Sequence, residues 1–218
     1  MTNILDTEKI SREFLVFLRN SDILSTTVRG VTRVTNQFNG NGTNKNFTLT
    51  NTNIKNVKTV IVGTTTLDYG YDYEVNYNTG VVSLVVAPEI GTDNVKITYD
   101  HGVGDKIYPD FPRQDISISS YPRIGFDIIS IDTVDIGFGN AMTSDVDIQV
   151  NLYSVSRNDL KSYGNILRTA LINNRNSFFY LNHLIPIGNG LDLPNIAEEN
   201  KVFMRVVNIR SILNYEVN

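Results

Sequence analysis

The chain has 218 residues, enough to bury a sizeable core in one large domain or two modest ones. It contains no cysteine, which excludes disulfides and thiolate metal sites. Its 19 basic and 23 acidic side chains leave a net charge of −4 with no basic block, which argues against a protein that grips nucleic-acid phosphates.

The opening Met-Thr-Asn-Ile-Leu-Asp has neither the basic start nor the apolar run of a secretory signal. No stretch approaches the ~18 consecutive apolar residues of a membrane-spanning helix. The chain is therefore expected to be made in a cytoplasm and to stay off membranes. A first amphipathic helix is expected from Asp6 or Thr7. Ile10, Phe14, Phe17 and Leu18 fall at i, i+4, i+7 and i+8 on one face, and Asn20, Ser21 and Asp22 end it.

From Val34 to Gly102 the period changes to two. Residues 47–50, 57–63, 72–77, 81–86 and 95–99 read as strands, rich in Val, Ile, Thr and Tyr. Turn chemistry separates them: Asn39-Gly40-Asn41-Gly42, Asn78-Thr79-Gly80, and Pro88 to Gly91. Regularly spaced strands with almost no helix signal predict a compact β-module.

A connector follows from Gly102 to Arg123, where Tyr108-Pro109, Phe111-Pro112 and Tyr121-Pro122 each push the residue before proline towards an extended backbone. Residues 124–131, 134–139 and 146–155 then read as strands. In the last, Val146, Ile148, Val150 and Leu152 alternate with Asp147, Gln149 and Asn151. Ser156, with Asp159 three residues on, starts a second helix whose buried stripe is Leu160, Tyr163, Leu167, Ala170 and Leu171. Strands at 184–187 and 202–213 are expected on either side of a loop over 188–200. The order predicts an α+β fold: a mostly antiparallel β-sheet flanked by two helices, built from residues 1–33 and 104–218, with an inserted all-β module over 34–103.

Residues that could carry chemistry are few. There is no Gly-x-Ser-x-Gly elbow. His101 beside Asp100 could be a base oriented by a carboxylate, but a strand end explains it as well, and the same holds for His183 between Asn182 and Leu184. Neither has a neighbour at metal-ligand spacing. The pairs Gly40/Gly42, Gly102/Gly104, Gly137/Gly139 and Gly188/Gly190 lack the third glycine and helix start of a phosphate cradle, and serve turns and bulges. Asp132/Asp135 and Asp145/Asp147 do not continue into a calcium-loop spacing and read as surface carboxylates. No catalytic, cofactor-binding or metal-binding residue is expected, and the chain is not expected to be an enzyme.

Two stretches carry a resemblance. Phe38-Asn39-Gly40-Asn41-Gly42-Thr43, Phe47-Thr48-Leu49, Val60-Ile61-Val62-Gly63-Thr64, Tyr71-Asp72-Tyr73-Glu74-Val75, Thr79-Gly80-Val81-Val82, Ala87-Pro88 and Val95-Lys96-Ile97-Thr98-Tyr99 resemble the small β-modules of tailed-bacteriophage structural proteins. Element order resembles phage tail terminator (tail completion) proteins. That order is an N-terminal helix, Tyr121-Pro122-Arg123-Ile124 starting a strand, a long strand ending Tyr153-Ser154-Val155, the helix at 157–174, a strand at 184–187 and a long C-terminal strand from Lys201. The resemblance implies a virion structural protein of the tail or neck. It would close the head-proximal end of the tail tube as a homo-oligomeric ring, expected to be a hexamer, and join tail to head. Its partners would be the tail tube protein and the head-tail connector or neck proteins, with viral DNA passing through unread. A different neck or baseplate adaptor, or a receptor- or glycan-binding tail-fibre module, are the alternatives. A ring needs heterologous contacts, and the strands near Val146 or Val202 could add to a neighbour's sheet edge. Alternation over 202–213 places Val207 at such a candidate edge.

Overall fold

A computed structural model describes residues 7–109, 121–135, 141–175, 177, 178, 181, 184–197 and 202–216. They form an α+β fold dominated by antiparallel sheet. The chain divides into two compact units, Met1–Leu24 with Lys106–Asn218, and Ser25–Asp105.

Helix α1 (Thr7–Asn20) buries Ile10, Phe14, Phe17 and Leu18, the stripe that its spacing predicts. Glu13 lies on the same face, 4% exposed, where its carboxylate accepts the Leu181 N–H at 3.0 Å. The helix stops where the Ser21 hydroxyl donates to the Phe17 carbonyl at 2.7 Å and Asp22 takes φ 50°.

The unit Ser25–Asp105 opens with a single-turn helix, α2 (Thr26–Arg29), that the sequence pattern is too short to reveal. Ser25 caps its start and Gly30, at φ 72°, ends it. Seven strands follow: β1 (Thr32–Gly40), β2 (Asn46–Thr48), β3 (Ile54–Val62), β4 (Thr65–Leu67), β5 (Tyr73–Asn76), β6 (Val81–Leu84) and β7 (Gly91–His101). They form two sheets, β1-β7-β3-β4 and β2-β6-β5. Inward residues of both, among them Phe47, Val60, Tyr73, Val82, Ile97 and Tyr99, make one core.

The turns of this sandwich interlock. A Cβ on Gly40 would lie 2.1 Å from the Glu89 carbonyl oxygen, so only glycine fits. Asn94 bridges the same two turns: its Oδ1 accepts the Gly40 N–H at 2.7 Å and its Nδ2 donates to the Glu89 carbonyl at 2.9 Å. Gly42, at φ 80°, donates to the Pro88 carbonyl at 2.9 Å. Asn41 Oδ1 accepts the N–H groups of Thr43 and Asn44. The Phe-x-Gly-x-Gly-Thr and Ala-Pro-x-x-Gly segments are thus two halves of one knot.

At the opposite end of the sandwich, where the chain enters and leaves, Arg29 and Asp100 are both fully buried and bonded at 2.9 Å. Arg33 grips the same carboxylate through two nitrogens at 2.7 and 3.1 Å. Asp105 lies 3.8 Å from Arg29 Nε. A Cβ on Gly104 would sit 2.5 Å from the Arg29 carbonyl oxygen. These contacts draw residues from Ser25 onward into the unit, so it begins ahead of the change in period at Val34.

The remaining elements belong to the first unit: β8 (Ile107–Tyr108), β9 (Arg123–Asp135), β10 (Ala141–Ser154), α3 (Arg157–Asn173), β11 (Ile185–Ala197) and β12 (Val202–Glu216). Their sheet has the order β11-β12-β10-β9-β8, antiparallel except for the β8–β9 pair. Val146, Ile148, Val150 and Leu152 of β10 are all fully buried, as alternation predicts. α1 and α3 cover this face. Phe14 meets Phe126, which pairs with Val150, with ring centroids 5.1 Å apart. α3 lays Gly164 against Arg205, which pairs with Leu152.

Three expectations need correcting here. Residues 124–131 and the start of 134–139 are one strand, β9, interrupted by a bulge: Ser130 opposes Asp147 and Ile128 opposes Ile148, leaving Ile129 unopposed. The segment from Gly188, expected as a loop, continues as strand β11 to Ala197 because β12 pairs with it through two register breaks. In α3, Leu160, Leu167 and Leu171 are buried, but Tyr163 and Ala170 are only half-buried. Gly164 takes the inner place beside the Arg205 side chain.

Candidate functional site

The structure separates most of the residue pairs that could have carried chemistry. Asp100 and His101 are consecutive strand residues and point to opposite faces. Both oxygens of Asp100 are bound by Arg29 and Arg33, so it does not orient the His101 ring, which lies beside Tyr99. His183 and the Gly137/Gly139 pair lie outside the described residues. Gly188 and Gly190 fall within the register break between Ile187 and Leu191. Among the described residues no group of three or more His, Asp or Glu is placed to hold a metal ion.

What the fold does assemble is a broad polar surface. With both helices on one face of the five-stranded sheet, the other face carries the alternate residues of β9, β10 and β12. Ser130, Asp147 and Arg210 stand in one row across the strands, and Asp127, Gln149 and Asn208 in the next, and on β11 the two rows end on the exposed Ile185 and Ile187. Arg210 clasps Asp147 through two nitrogens at 2.8 and 3.0 Å and reaches Asp145 at 4.0 Å. The hydrogen bonds from Arg210 hold the Asp147 carboxyl below the usual carboxylate range, against the opposing effect of partial burial. The Arg210 charge and the Ser130 hydroxyl assist. Asp132 stands opposite Asp145, so one arginine is shared among three carboxylates. Near the start of β9, Arg123 stacks over the Tyr108 ring at 4.8 Å. This face has hydrogen-bonding capacity and a slight excess of negative charge. A phosphodiester polymer would be repelled by it rather than held.

No family model matches the chain, and no curated protein matches it.

The edges of the same sheet bear on assembly. β10 lies between β9 and β12, and β12 lies between β10 and β11. Both are interior strands, so the expectation that the strands near Val146 and Val202 could add to a neighbour's sheet is overturned: their backbone groups are already paired on both sides. Val207, proposed at an edge, is only 7% exposed and lies on the helix-covered face opposite Val150. The outer strands are β11 and, beyond Gly125, β9. β11 carries Pro186 and Pro194, which cannot donate to a further strand. β9 carries the Ile129 bulge, which kinks its edge. A cleft of about 430 Å³ runs beside that bulge, between the first turns of α1 (Thr7, Glu8 and Ser11), Pro109 and residues 127–131.

Local patterns miss the Arg29–Asp100 contact, since its partners are 71 positions apart and each looks like an ordinary surface charge. Alternation misleads as well, because Asp100 directly follows the buried Tyr99 and so reads as outward-facing.

Proposed function

We propose that this chain is a structural subunit of a bacteriophage tail or neck. It forms a ring that caps the head-proximal end of the tail tube and joins tail to head, and it has no catalytic role. The observation that carries this reading is the two-sided character of the first unit. Helices cover one face of the sheet, while the opposite face carries a carboxylate-rich centre, with Arg210 shared among Asp132, Asp145 and Asp147, bordered by Ile185 and Ile187. Arranged around an axis, such faces would make a smooth wall past which DNA slides without being gripped. The interlocked turns of the β-module, with side chains spent on holding its own backbone, also suit a load-bearing role. The partners would be the tail tube protein below and the head-tail connector or neck proteins above.

Negative-stain images of the purified protein, alone and mixed with tail tubes, test the reading directly. Rings with a central hole, seated at one end of the tube, are expected. Particles assembled without the protein should have tails of uncontrolled length or tails that fail to join heads. Tails of normal length joined to heads in its absence would overturn the proposal in favour of a fibre or decoration role.

A further inference from the structure

The Phe-x-Gly-x-Gly-Thr segment contains two asparagine–glycine bonds, Asn39-Gly40 and Asn41-Gly42. In an open chain this pairing is the one most prone to deamidate, because glycine has no Cβ to screen its backbone nitrogen from the asparagine side chain. The nitrogen gives its proton to base and attacks Cγ. A bond forms from that nitrogen to Cγ, the Cγ–Nδ2 bond breaks, and the amide leaves as ammonia with a proton taken from water. Water then opens the five-membered imide on either side, leaving aspartate or isoaspartate. Asn39 and Asn41 are both exposed, so water and base reach them. On exposure alone, both bonds should react.

The hydrogen bonds point the other way. Each attacking nitrogen has its proton committed to an acceptor across the knot. Gly40, itself buried, donates to Asn94 Oδ1 at 2.7 Å, and Gly42 donates to the Pro88 carbonyl at 2.9 Å. The asparagine side chains are held as well. Asn39 Oδ1 accepts the Asp93 N–H at 2.8 Å, and Asn41 Oδ1 accepts from the Thr43 and Asn44 N–H groups at 3.0 and 2.7 Å. An N–H bonded inside the fold is out of reach of base until its turn opens. We infer that Asn39 and Asn41 are latent deamidation sites, locked by the bonds that Gly40 and Gly42 give to Asn94 and Pro88. Opening the knot releases both. Isoaspartate then adds a methylene group to the main chain beside Gly40, where even a Cβ would collide with the Glu89 carbonyl, so the turns could not close again. One long excursion is thereby recorded covalently, and Asn94 sets how often Asn39 is at risk.

Mass spectrometry of proteolytic peptides from the full-length chain, aged at mildly alkaline pH, reads each site separately, with aspartate and isoaspartate resolved by chromatography. In the folded chain Asn39 and Asn41 should deamidate more slowly than in guanidinium chloride by about tenfold or more, since the reaction waits on opening of the turn. Asn94→Ala removes the Gly40 acceptor and leaves the Gly42–Pro88 bond, so Asn39 should speed up by a larger factor than Asn41. Asn94→Asp keeps an oxygen for the Gly40 N–H and should return Asn39 towards the slow rate. Equal rates in the folded and denatured chain would overturn the inference. So would an Asn39 rate that Asn94→Ala leaves unchanged, or one that Asn94→Asp raises just as much. If Asn94→Ala instead unfolds the unit, seen as lost amide protection throughout Ser25–Asp105, both sites should reach the denatured rate together. A site that stays slow in that unfolded unit would overturn the lock.

Discussion

In the sandwich, polar groups with fixed partners set the register of an apolar core. Asn94 ties Gly40 to Glu89, Tyr99 Oη sits 3.0 and 2.6 Å from the Asn36 and Asn51 side-chain oxygens, and Asp100 is wedged between two arginines. In the five-stranded unit, order comes from apolar periodicity. Val146, Ile148, Val150 and Leu152 of β10 and Leu160, Leu167 and Leu171 of α3 are all buried, and the polar groups buried on that side are the small hydroxyls of Ser144, Ser154 and Ser211 and the Glu13 carboxylate. A polar pin is specific and intolerant, because removing one partner strands the other in a dry site. An apolar seam tolerates exchange of similar volumes and fails mainly when emptied. The two units should therefore break under different substitutions.

The largest effect should follow Asp100→Asn, which removes the carboxylate bonded directly to the buried Arg29, leaves it the longer 3.8 Å contact with Asp105, and costs about 3–5 kcal/mol. Hydrogen exchange should show amide protection falling within Ser25–Asp105 and holding in the sheet of the first unit. Arg29→Met combined with Asp100→Leu should cost far less, since well-packed apolar groups replace a buried pair at little loss. Leu167→Ala should destabilise the other unit by about 2–5 kcal/mol in chemical denaturation, with the opposite exchange pattern. If either variant loosens both units equally, the contrast drawn above is false. Gly40→Ala forces a methyl group onto the Glu89 carbonyl and should cost about 1–3 kcal/mol, read as a lowered melting temperature.

The smallest effect is on pH. The folded chain holds the Asp147 carboxyl below its unfolded value, so its bond to Arg210 stabilises fully above the unfolded pKa. That contribution is lost as pH falls through the lower, folded one. Carboxyl NMR titration should show the Asp147 midpoint rising in Arg210→Ala. An unmoved midpoint would mean that the clasp is absent in solution.

The contrast also explains what could be read from the sequence. Apolar alternation is local, so β10 and the buried stripe of α1 were legible residue by residue. The turn glycines were legible as turns, yet nothing local says that Gly40 and Glu89 belong to the same knot. β11 was misread because Gly188, Gly190 and Pro194 weaken any intrinsic strand preference; pairing with β12 supplies what the segment lacks. Tyr163 was placed in the core on spacing alone, and the Arg205 side chain, reaching over from β12, reserves that space for Gly164. The polar sheet face was present only as the discarded half of an alternation. Its meaning depends on which face the helices choose.

The paired ends of the sandwich have a mechanical consequence. The chain enters through β1 and leaves through β7, and these strands are antiparallel neighbours with Thr32 opposite His101 and Arg33 opposite Asp100. Tension pulling the two connections apart would therefore peel the pair open one rung at a time, the weakest way to load a sheet, instead of shearing many rungs together. The Arg29–Asp100–Arg33 clasp sits at the second rung. Under such a load it would act as the rivet that keeps the zipper from starting.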